Sequence, residues 1–199
     1  MRTLKLTEET RKNVLEELLK RSPNQYGQYE AVVNEIIQAV RDKKDEAVLE
    51  YTAKFDKWDC NLGNLRVTEE EIKEAYEEID DEFITCMKKS AENITAFHAK
   101  QLHNSWFDPK PDGTILGMKI LPIEKAGVYV PGGKAAYPSS VLMNVLPAKV
   151  AGVKKIVMTT PAGADGKVNP GTLVAADIAG VDEIYKVGGA QAIAALAFG

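Results

Sequence analysis

Cysteine is scarce in this chain: Cys60 and Cys86 are the only two. That is too few for a disulfide-stapled secreted scaffold. The opening stretch, MRTLKLTEETRKN, has neither an apolar run nor a cleavage signature, so no secretion signal is read. Reduced thiols and a cytoplasmic location are the expectation. No run approaches the roughly 20 apolar residues that span a bilayer, so no membrane helix is expected. Excess positive charge is also missing. Lys and Arg number 25 against 29 Asp and Glu, for a net charge of -4, and that argues against a nucleic-acid surface. Histidine is limited to His98 and His103, which are not at the i, i+4 spacing that puts two ligands on one helix face. No metal ligand is assigned here. No Ser-His-Asp or Cys-His arrangement can be argued, so no catalytic residue is assigned either. Two phosphate-binding signatures, G-x-G-x-x-G and G-x-x-x-x-G-K-[ST], are absent.

What is present divides near Pro109. Residues 1–108 read as a helical region and residues 109–199 as an α/β region. In the first, Thr7 can cap a helix reaching about Lys20. Val32, Val33, Ile36, Ile37 and Val40 share one helical face. The charged break Arg41–Asp45 ends that helix, and Asp45 can cap the next, which carries Val48, Tyr51 and Phe55. Thr68 with Glu71 spells a capping box. Phe83, Met87, Ala91 and Ile94 recur at helical steps after Asp80. Acidic stretches such as Glu69–Glu71 and Glu77–Glu82 read as solvated faces and caps.

The second region alternates short apolar runs with helical patterns. Strands are predicted over 115–121, from 126 to the Pro131-Gly132-Gly133 turn, over 154–160 and over 183–187. Helices are predicted over 138–151, kinked at Pro147, from Asn169-Pro170 to a stop at Gly180, and from Gly188-Gly189 onward. This alternation implies parallel pairing with crossover helices.

In such sheets ligands bind outside the carboxyl ends of the strands. Two of those ends are glycine-rich, which allows a ligand close to the backbone. The final helix would aim free N–H groups at a pyrophosphate. Tyr129 lies beside the first turn and could stack on a ring or donate its hydroxyl; a partly buried core tyrosine is the plain alternative. Gln191 follows the glycine pair and offers a donor and an acceptor; a surface helix residue is the alternative. Tyr137, Ser139 and Ser140 open the preceding helix, where capping is the default role.

The blocks YVPGG, YPSSVLMN and GGAQAIAALA, with VRDKKDEAVLEYTAKFD and NITAFHAKQ upstream, closely resemble the histidinol dehydrogenase family over nearly the whole chain. The resemblance implies an α/β protein in which an N-terminal helical region precedes an incomplete Rossmann-like parallel sheet unit lacking the usual glycine fingerprint. It implies a zinc-dependent homodimer that oxidises L-histidinol to L-histidine in two NAD-dependent steps. It places Tyr129 and Gln191 at cofactor-binding positions. It also puts the zinc ligands and the catalytic Glu-His pair beyond residue 199, so this chain reads as an N-terminal fragment, inactive alone. Two other readings stand: a non-catalytic nucleotide- or phosphate-binding module, and a helical interaction protein working through residues 1–105.

Overall fold

The computed structural model describes residues 5, 7–12, 27–132 and 136–198. The chain runs through α1 (Glu8–Thr10), α2 (Gly27–Lys43), α3 (Asp45–Asp56), α4 (Glu69–Glu78) and α5 (Asp81–Ala99). It continues through β1 (Trp106–Pro109), β2 (Ile115–Met118), β3 (Lys125–Tyr129), α6 (Pro138–Val150), β4 (Lys155–Thr159), α7 (Pro170–Ala179), β5 (Glu183–Tyr185) and α8 (Gly189–Phe198).

Strands β3, β4 and β5 form one parallel sheet in sequence order, with Tyr129 opposite Thr159 and Thr159 opposite Tyr185. Side chains alternate across it. Val128, Ile156, Met158 and Ile184 face one core with Val141, Leu142 and Val145 of α6 and Leu173 and Val174 of α7. Ala75 of α4 and Ala91 of α5 join this core from outside. The opposite face carries Tyr129 and Tyr185, which pack with α8, Ile36 and Val40 of α2, and Ala47, Val48 and Tyr51 of α3. Gly127 sits under α8: a Cβ there would stand 3.0 Å from the Leu196 methyls. The N-terminal helices thus supply both outer layers of the α/β unit.

Local signals explain most boundaries. Thr68 accepts from the Glu71 N–H while Glu71 returns to the Thr68 N–H, a complete capping box. Asp80 caps α5 through the Phe83 N–H, and Asn169 caps α7 through the Thr172 N–H. Gly180 ends α7 at φ 77°. Helix α6 runs through Pro147 as far as Val150.

Two expectations change. Asp45 is the first residue of α3 and not its cap; Lys44, at φ 55°, takes the cap position without a side-chain bond. The strand predicted over 115–121 is shorter and belongs to no parallel sheet. It pairs antiparallel with β1, a strand not anticipated. Thr7 does cap, accepting from the Thr10 N–H, but the remainder of the predicted helix to Lys20 extends outside the described residues.

Candidate functional site at the strand tips

The carboxyl ends of β3, β4 and β5 meet where Pro161 wedges between two glycine turns. A Cβ on Gly132 would stand 2.9 Å from Pro161 Cγ, and one on Gly188 would stand 2.7 Å from Pro161 Cβ. Neither position admits a larger residue without displacing the proline. Gly133 lies outside the described residues.

Gly189 begins α8 at φ 66°, a left-handed conformation that glycine adopts without strain. Its N–H donates to the Tyr129 hydroxyl at 3.4 Å. Tyr129 is half-buried, with its ring against the α8-side core. Gln191 folds back toward the same turn: its Oε1 would lie 2.6 Å from a Cβ on Gly189. Both residues singled out in the sequence therefore converge on Gly189.

Their environments differ from expectation. Gln191 is 0% exposed, and neither its Oε1 nor its Nε2 has a hydrogen-bond partner. It is not a surface glutamine. A buried primary amide without partners is costly to the fold. Tyr137 stands at the N-cap of α6 without a side-chain capping bond, and Ser139 and Ser140 lie within the first turn. The hydroxyl capping expected there does not form.

Charge around the tips is arranged by the N-terminal helices. Lys186, buried just after β5, pairs with Glu71 and lies 5.8 Å from the Trp58 ring centroid. Glu71 thus closes its capping box and neutralises a buried cation at once. Asp56, the last residue of α3, reaches Gly188, with Oδ2 3.4 Å from where a Cβ would stand. Burial pushes its carboxyl above the usual aspartate range, while the Gly188 main chain pulls the other way. No hydrogen bond to Oδ2 results. Neither Asp56 nor Pro161 was singled out from the sequence; the only available signal was the position of Pro161 directly after a strand.

Two clefts lie near this region, and neither is lined by Tyr129 or Gln191. One, of about 300 Å³, lies between α3, α8 and the sheet, with Val157, Tyr185 and Leu196 in its walls. The other, of about 220 Å³, separates α4 from α7. His98 bonds to Gln101 at 2.7 Å, and His103 is exposed. Among the described residues no three His, Cys, Asp or Glu side chains are grouped to hold a metal ion. The chain's described residues do not fit a zinc site. No described helix is long and apolar enough to cross a membrane.

A parallel α/β unit with glycine turns and unpartnered polar atoms at its strand tips defines a protein of the α/β class with a candidate site at those tips. Comparison narrows the class. A family model described as histidinol dehydrogenase matches residues 19–199, and the chain belongs to that family. Histidinol dehydrogenase of Heliobacterium mobile is 54% identical over 167 residues, which are 84% of this chain and 39% of the relative. That of Clostridium acetobutylicum is 57% identical over 164 residues, 82% of this chain and 38% of the relative. A crystal structure of histidinol dehydrogenase from Elizabethkingia anophelis superposes with a TM-score of 0.83 at 36% identity, covering 98% of this chain and 43% of that one. The chain spans about two fifths of the length of the curated relatives it matches.

Proposed function

We propose that this chain is the dinucleotide-holding portion of an NAD-dependent histidinol dehydrogenase, with the reactive groups contributed by further polypeptide. The observation that carries the reading is the convergence of the Tyr129 hydroxyl and the Gln191 amide on Gly189 at the start of α8. The N-terminus of α8 favours the phosphates of such a ligand. Tyr129 would fix the turn or pass its hydroxyl to the ligand. The Gln191 amide would gain the partners it lacks, which requires the glycine turn to shift, because the side chain is sealed. When bound, NAD supplies the hydride acceptor for oxidation of L-histidinol to L-histidine.

Zinc and the acid-base residues belong to the remainder of the enzyme. The proposed setting is a cytoplasmic homodimer of the longer chain, where Cys60 and Cys86, both free, stay reduced. The isolated chain is predicted to turn over no histidinol with NAD and to bind zinc only weakly. Residues 1–108 and 109–199 are proposed as its helical and dinucleotide-binding parts.

Calorimetric titration with NAD, AMP and inorganic phosphate tests the reading. Preference for the dinucleotide supports it. Equal response to all three would favour a generic phosphate-binding module, and steady turnover by the pure chain would overturn the division of labour.

A further inference from the structure

Dinucleotide-binding sheets commonly place an acidic residue at the end of the second strand, where it accepts from the ribose hydroxyls. Here the second parallel strand, β4, runs out through Thr159, Thr160 and Pro161, with no acid. The acid at the strand tips comes from a different element. It is Asp56, delivered by the C-terminus of α3 to the Gly188 turn. Its Oδ2 is buried and has no hydrogen-bond partner, and Asp56 joins no ion pair among the described residues. The buried cation Lys186 is already taken by Glu71. An unpartnered carboxylate oxygen held out of water destabilises the fold. The residue as a whole stays half-buried, so part of it still faces outward.

Resting on the NAD reading above, we propose that Asp56 is a specificity-determining residue for the dinucleotide. Its carboxylate accepts a hydrogen bond from the 2′-hydroxyl of the adenosine ribose. Its charge excludes a dinucleotide that carries a phosphate at that position. The neighbouring start of α8 meanwhile offers N–H groups to the adjoining pyrophosphate, so one acceptor and one donor surface stand side by side. A bare phosphate meets the carboxylate and gains less. The unmet acceptor of Asp56 and the unpartnered Gln191 amide both lie at this turn.

The test uses the 199-residue chain, the Asp56→Asn variant and three probes: NAD, NADP, and NAD lacking the adenosine 2′-hydroxyl. For the unaltered chain, NADP is expected to bind at least about 100-fold more weakly than NAD, and the deoxy analogue about tenfold more weakly, the usual reach of a charge-assisted hydrogen bond. In Asp56→Asn the NADP gap is expected to shrink to within about tenfold. Equal binding of NAD and its deoxy analogue by the unaltered chain overturns the proposal without recourse to any variant. So does an Asp56→Asn chain, folded by circular dichroism, that discriminates as before. If the unaltered chain binds none of the three, the NAD reading itself falls and takes the proposal with it.

Discussion

At the scale of single residues, the strand tips are built from side chains that would be badly placed in a protein selected for stability alone. Asp56 is the clearest. Its carboxyl titrates above 3.8 because burial disfavours the charge. The folded state therefore binds that proton more tightly than the unfolded state. Any stability this group supplies is present in acid and is lost as pH rises through its raised range. Asp56→Asn should raise the melting midpoint at neutral pH and flatten its pH dependence, read by thermal melts across the acid limb. Greater stability combined with poorer dinucleotide discrimination would separate a ligand role from a structural one. Gly189→Ala should act in the opposite sense. It places a Cβ at φ 66° and 2.6 Å from Gln191 Oε1, which should cost roughly 1–3 kcal/mol in a denaturant titration. Tyr129 and Gln191 were legible in the sequence by position, as the residues flanking two glycine turns. Burial of Gln191 was not, because a residue just after a glycine pair can face solvent or core until α8 is seen packed against β3, α2 and α3. Asp56 was illegible for the same reason: 132 residues separate it from Gly188, and only the packing of α3 on α8 joins them.

At the scale of elements, caps and turns were the most readable features. Thr68, Asp80, Asn169 and Gly180 each marked a boundary through a local hydrogen bond or a positive φ. The β1–β2 hairpin was missed because WFDP carries a proline and no alternation. Its turn signal was nevertheless present: Asp112-Gly113, with Gly113 at φ 88° and its N–H donating to the Lys110 carbonyl at 3.0 Å. Every strand residue of this ribbon is exposed, including Trp106, Phe107, Ile115 and Leu116. A lone two-stranded ribbon is marginal in water. Its amides should exchange with solvent well before those of β3 and β4, measured by native-state hydrogen exchange. The α4–α7 contact has a polar tether, in which the Tyr76 hydroxyl donates to Asp177 Oδ2 at 2.8 Å. Burial, and then the carboxylate beside it, push the Tyr76 hydroxyl up to about 12. Its folded value lies above the ordinary 10.0, so the tether contributes fully below pH 10 and is lost as pH climbs toward 12. Tyr76→Phe should cost roughly 0.5–1.5 kcal/mol at neutral pH and little above pH 12.

At the scale of the whole molecule, the helical and α/β parts share their cores. Trp58, Val67, Ala75 and Ala91 bury with the α6–α7 side of the sheet, while Ile36, Val40, Val48 and Tyr51 bury with α8. A change of grammar along the sequence therefore does not give each region a hydrophobic interior of its own. Leu142, 0% exposed in α6, should lose roughly 2–5 kcal/mol on truncation to alanine. The same melt should report α5 and the sheet unfolding together. The parallel sheet was readable from the alternation of strands and helices. What wraps each face was not, because amphipathic helices announce that they pack but not on what.

The turn at Gly188 and Gly189 is proposed to be the dinucleotide seat. The most direct measurement follows the backbone amides of Gly188 and Gly189 and the side-chain amide of Gln191 by NMR while NAD is added. These resonances should move together and saturably, with Tyr129 ring signals shifting at the same midpoint. Unmoved signals at all four residues, at NAD concentrations that shift others elsewhere in the chain, would contradict it.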